Sequence, residues 1–121
     1  MLAGCSSQEA RGTCGESFCL PASAKLIGKQ TPVEDFNLYQ AEWDHARFGI
    51  YEGDAPQRGE ARRIALRLPM DRAAAMSVTD GQASIIIKVG KAWPEYLDVM
   101  GPCPSDGNCP AKLFAALLSR R

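Results

Sequence analysis

The chain of 121 residues has one histidine, no net charge and no long apolar run, and each absence excludes a class of function. Fourteen basic residues balance fourteen acidic ones, so the basic excess with which nucleic-acid-binding domains meet phosphates is missing and no nucleic-acid partner is expected. No segment approaches the roughly 20 apolar residues of a membrane-spanning helix; Ile85-Ile86-Ile87 is bracketed by Ser84 and Lys88. There is no internal repeat or low-complexity tract. No Gly-rich loop joins a strand to a helix to cradle phosphate, no nucleophile elbow occurs, and no Cys-x-x-Cys suggests redox chemistry. His45 stands alone in a turn-like tetrapeptide, without the partners a serine triad needs. Glu42, Asp44 and His45 are metal-ligand types, but neighbours on a strand point to opposite faces. No catalytic residue, cofactor or metal is assigned.

Aromatic side chains, few in number, are concentrated. Five of the nine lie between Phe36 and Gly53, where two β-rich runs flank Asp44-His45-Ala46-Arg47. The spacing predicts a β-hairpin. A loop of two or four residues puts Tyr39, Ala41 and Trp43 on one face with Phe48 and Ile50, and burial of that aromatic area favours this register. Phe36, Leu38 and Tyr51 then give the other face some apolar character.

Elsewhere the pattern predicts a bent or edge strand over 18–27, interrupted by Pro21, and a loop over 53–59. From Arg62 to Leu68 apolar and polar residues alternate, with Ile64, Leu66 and Leu68 opposite Arg63, Ala65 and Arg67, as in a half-exposed strand. Arg58, Arg62, Arg63, Arg67 and Arg72 suggest either a basic stripe or a solvated strand face; Arg63 and Arg67, with Tyr51, form the candidate binding surface. Asp71–Met76 has helix propensity, although Asp80-Gly81 would also suit a hairpin from Ala74 to Val89. Trp93, Tyr96, Leu97 and Met100 fit one helical face behind Pro94, while alternation of Leu97 and Val99 would suit a strand; a short helix is expected in both places. Pro110–Arg121 reads as an amphipathic helix, with Leu113, Phe114, Leu117 and Leu118 as its apolar stripe and terminal arginines that suit the dipole. The expected fold class is α+β: a small antiparallel sheet of about four to five strands, with the C-terminal helix packed on one face.

Leu2-Ala3-Gly4-Cys5-Ser6-Ser7 resembles a lipobox, the processing and lipidation signal of bacterial lipoproteins. The resemblance covers four residues and implies cleavage before Cys5, lipid on its sulfur and, with Ser6 following, sorting to the outer membrane. It also implies basic and apolar leader regions, whereas Met1 directly precedes Leu2. Residues 1–17 are then expected to be the end of a signal peptide, the lipid-attachment Cys5 and a flexible tether, with one globular domain over 18–121. Setting Cys5 aside leaves Cys14, Cys19, Cys103 and Cys109, an even number that suits two disulfides in an oxidising compartment. Turn residues between Cys103 and Cys109 favour local pairing, while a crossed pairing would join the start of the domain to its end.

These observations favour a small cell-envelope lipoprotein, anchored through Cys5 and facing the periplasm, that acts as a non-enzymatic binding or structural module for an envelope protein or peptidoglycan. The alternative is an envelope hydrolase using carboxylates among Glu42, Asp44, Glu52 and Asp54.

Overall fold

A computed structural model describes residues 11–31, 35–56 and 62–121. The chain is mostly β, which corrects the expectation of a four- to five-stranded α+β fold. The strands run β1 (Arg11–Cys14), β2 (Phe18–Pro21), β3 (Lys25–Gln30), β4 (Phe36–Trp43), β5 (Ala46–Gly53), β6 (Ile64–Leu68), β7 (Arg72–Thr79), β8 (Gln82–Lys88) and β9 (Tyr96–Pro102). A short helix α1 (Pro110–Leu117) and a final strand β10 (Ser119–Arg120) follow. Seven strands form one antiparallel sheet in the order β3-β4-β5-β9-β8-β7-β6, and β1-β2-β10 form a second, three-stranded sheet.

Both stretches expected to be helical are strands. Residues 72–79 form β7 and turn back into β8 through Asp80 and Gly81, both at positive φ. That two-residue turn outweighs the helix propensity of an alanine run, because β7 finds partners on both edges. Tyr96–Pro102 is β9, the central strand that joins the two halves of the large sheet. Its alternation buries Val99 between Ile50 and Ile85, and Leu97 between Glu52 and Ile87, and this pairing outweighs the helical spacing of Trp93, Tyr96 and Met100. Of the stretch 6–17 expected as a tether, Arg11–Cys14 is strand β1; Cys5 and the rest of the lipobox lie outside the described residues. Arg58 lies outside them too.

The hairpin has the expected register. Trp43 pairs with Ala46 across a two-residue turn, where Asp44 and His45 both adopt positive φ. The inner face of the large sheet therefore carries Tyr39, Ala41, Phe48, Ile50, Ile85, Ile87, Leu97 and Val99, all buried. Helix α1 covers this face through Ala111, Phe114, Ala115 and Leu118. Phe114 stacks on Phe48 with centroids 4.3 Å apart. A Cβ at Gly101 would run into the Phe48 ring, so the glycine provides that ring's seat. The stripe expected on the helix is half corrected: Leu113 and Leu117 are exposed, at 61% and 44%. The helix ends at Leu117, so Arg120 belongs to β10 and Arg121 donates to the Gly15 carbonyl at 2.6 Å instead of closing a helix. Trp43 is half-buried, with its indole N–H donating to Ser23 Oγ at 3.1 Å.

The three-stranded sheet packs on the same inner face, with Phe18 meeting Tyr39 edge-on at 5.1 Å. Disulfides Cys14–Cys19 and Cys103–Cys109 close loops with sequence separations of 5 and 6. Pairing is thus local, and loops this short stabilise by only about 2 kcal/mol each in the chain-entropy account.

Candidate functional site

Two places gather polar groups that a β-fold of this size does not need for packing alone. The first is Glu52 on the inner face of β5, fully buried. Its Oε2 accepts hydrogen bonds from Ser17 N at 2.7 Å and Ser17 Oγ at 2.6 Å. Its Oε1 accepts from Tyr39 OH at 2.6 Å, Asn37 Nδ2 at 3.1 Å and Glu16 N at 3.4 Å. Burial pushes the Glu52 pKa up, but the bonds from Ser17, Tyr39 and Asn37 outweigh it and leave the carboxyl below its ordinary range. Burial, with the adjoining Glu52 carboxylate, holds the Tyr39 hydroxyl well above its ordinary value. A carboxylate saturated by five donors is a structural clamp, and it ties the Cys14–Cys19 loop to the large sheet.

The second place is the outer face of the large sheet. Register sets Leu38, Tyr51, Asp98 and Ile86 in one row across β4, β5, β9 and β8. Met100 lies on the same face in the next row, opposite Gly49, and Phe36 lies opposite Gly53. Gly53 matters here: a Cβ would sit 2.7 Å from the Tyr51 hydroxyl oxygen and 2.9 Å from Phe36 Cβ. Without one, Tyr51 lies over the strand, stacks on Phe36 at 5.4 Å and accepts a hydrogen bond from Ala55 N at 2.9 Å.

The result is an open groove of about 630 Å³, lined by Phe36, Leu38, Tyr51, Met100, Asp98 and the rim residues Asp35, Asp54 and Ala55. A second cavity of about 490 Å³ shares Asp35, Phe36 and Asp54 and adds Thr31, Asn37 and Trp93, so the two adjoin. Trp93 donates its indole N–H to the Asp35 carbonyl at 2.6 Å, and Asp54 Oδ1 accepts from Glu95 N at 3.0 Å. These bonds hold the rim.

Asp98 forms the polar floor, only 4% exposed. Burial pushes its pKa up, opposed by a hydrogen bond from Ser84 Oγ at 2.7 Å and by the charge of Arg63. Arg63 in turn donates to Ser84 Oγ at 3.3 Å and to the Ser84 carbonyl at 3.1 Å. Arg63, Ser84 and Asp98 thus form a relay of hydrogen bonds beneath the outer face.

Of the candidate binding residues, Tyr51 lines the groove and Arg63 reaches its floor. Arg67 stands apart, pairing with Asp71 at 2.6 Å in solvent. Arg72 donates its Nε to the Pro69 carbonyl. The four carboxylates of the hydrolase alternative do not converge. Glu42 and Asp44 sit at the turn end of the hairpin, while Glu52 and Asp54 sit about 17 Å along it, taking five residues of strand rise. Among the described residues no three of His, Cys, Asp and Glu cluster to hold a metal ion.

Sequence reasoning found Tyr51 and the apolar character of Phe36 and Leu38, but missed Asp98, Met100 and Trp93. The available signal was the alternation of Leu97 and Val99, which places Asp98 and Met100 together on the other face. Compared with known proteins, the chain matches no family model, no curated protein and no solved structure.

Proposed function

We propose that this protein is a small binding module of the bacterial cell envelope, carried on lipid at Cys5 and using the outer face of its large sheet to hold a partner. The observation that carries the reading is the contrast between the two faces. Helix and second sheet close the inner face, while the outer face keeps a groove with an apolar lining and an acidic rim, beside a second, adjoining cavity. A concave apolar surface with a few convergent polar groups is the common form of a binding site. The two disulfides suit the oxidising envelope to which the lipobox resemblance points.

The test uses the full precursor expressed in a bacterium. A photo-crosslinking amino acid in place of Tyr51 should give an adduct of defined mass, and the same residue in place of Arg47, exposed on that face near the hairpin turn, should not. No adduct from position 51, or the same adduct from both positions, overturns the binding reading. Label from a fatty-acid analogue should be lost in Cys5→Ala; equal label in both proteins overturns the lipid tether.

A further inference from the structure

We infer that the groove takes a short extended segment of a partner protein, in which a large apolar side chain and a lysine or arginine two residues away point to the same side. The inference rests on the binding-module reading above and adds the chemistry of the partner.

The groove is divided. Its larger part is walled by Phe36, Leu38, Tyr51 and Met100, and suits one bulky apolar group. Its smaller part is walled by Thr31, Asn37, Phe36 and Trp93, with the carboxylates of Asp35 and Asp54 at its rim. The two parts share Asp35, Phe36 and Asp54, so they adjoin. In an extended chain, side chains two residues apart share a face and stand about 7 Å from each other, which suits adjoining subsites.

Charge selects the sign of the second group. Asp35 and Asp54 are both exposed at the rim, and Asp98 lies on the floor. The neighbouring cations have their own roles: Arg63 serves Ser84 and Asp98, and Lys88 pairs with Glu95 at 3.3 Å. Trp93 adds an aromatic ring, 41% exposed and held by its bond to Asp35, of the kind against which an ammonium or guanidinium packs. Each part has the volume of a ligand site of about 300–1,000 Å³, and the two adjoin, which suits two side chains of one extended segment. The geometry therefore favours a peptide over a small amphiphilic amine.

The experiment titrates the folded domain with an end-capped Gly-Phe-Ser-Lys-Gly peptide and follows it by NMR. The expected result is a set of shifts confined to Tyr51, Met100, Trp93 and their strand neighbours. Replacing the peptide lysine with glutamine should weaken binding by roughly threefold to fivefold, the size of one exposed ion pair. Replacing its phenylalanine with alanine should weaken it by about tenfold or more, through lost apolar burial. Asp54→Asn keeps the acceptor for Glu95 N and removes the charge. It should reproduce the loss caused by the lysine replacement, and the two losses should not add.

Leu38→Lys should abolish binding, with its melt recorded beside it; should that variant unfold, Asp54→Asn still decides the matter. Equal affinity for lysine, glutamine and glutamate peptides overturns the inference, as does equal affinity for phenethylamine or the absence of shifts in the groove. A crosslink from position 51 together with failed peptide binding would overturn the partner's chemistry alone. A missing crosslink would overturn the binding module itself.

Discussion

Glu52 is a fully buried carboxylate that serves stability rather than reaction. Its charge is balanced by five donors from two segments, so its removal leaves Ser17, Asn37 and Tyr39 with buried polar groups and no acceptor. Glu52→Gln keeps the shape but turns an amide N–H₂ toward those donors, and should cost roughly 2–4 kcal/mol at pH 7. The pH dependence follows from the direction of the shift. The folded pKa lies below the ordinary 4.5, so the contribution is present above that value and is lost as pH falls through the folded one. The gap between wild type and Glu52→Gln should therefore narrow as pH falls below the ordinary 4.5, read as converging midpoints in denaturant melts. A constant gap would show that the Glu52 pKa is the same in the folded and unfolded protein. Asp98 has the opposite sign: its pKa is raised, so its contribution is present below the ordinary 3.8 and fades as pH rises through the folded value. One carboxylate thus stabilises the fold at neutral pH, while the other is held there at a cost, beneath the groove.

The hairpin of β4 and β5 illustrates both the reach and the limit of sequence pattern. Its register was legible because Tyr39, Trp43, Phe48 and Ile50 can share a face only across an even loop, and the structure has the two-residue form. The turn itself departs from the preferred chemistry. Asp44 at φ 51° and His45 at φ 64° occupy positions where Asn-Gly is favoured. His45→Gly should therefore raise stability by about 0.5–1 kcal/mol, since the exposed ring has no contact to lose and the left-handed strain is removed. A lower midpoint would mean that the imidazole makes a contact of its own. Short segments were read wrongly for a related reason. Asp71–Met76 and Trp93–Met100 carry helical spacing or propensity over fewer residues than an isolated helix needs, and strand pairing decided them. Because β9 was misread, the site built upon it was only partly legible: Tyr51 was visible, whereas Asp98 and Met100 were not. The C-terminal helix was placed correctly but made too long, because pairing of Ser119 with Cys19 takes over at its end.

At the scale of the whole molecule, the last strand closes the structure onto its first described residues. Ser119 and Arg120 pair with Cys19 and Phe18, Arg121 N donates to the Ser17 carbonyl at 3.3 Å, and its guanidinium reaches Gly15. Gly15–Ser17 is also the loop that supplies donors to Glu52, so β10, the Cys14–Cys19 loop and β5 are linked in series. A chain entering at β1 joins the sheet that packs on the inner face, which leaves the groove on the far side. This arrangement requires that the small sheet stay docked. Deleting residues 119–121 removes one strand of three and should destabilise by roughly 1–3 kcal/mol, the scale of a few hydrogen bonds. The loss should be local before it is global, because the seven-stranded sheet keeps all its pairings. Hydrogen exchange gives the direct reading: the amides of Ser17 and Cys19 should lose protection in the truncated protein, while those of Ile50, Ile85 and Val99 keep theirs. If the two sets lose protection equally, the small sheet is no separate unit and the protein opens as one. If neither changes, β10 contributes nothing, and Glu52 alone holds the loop in place.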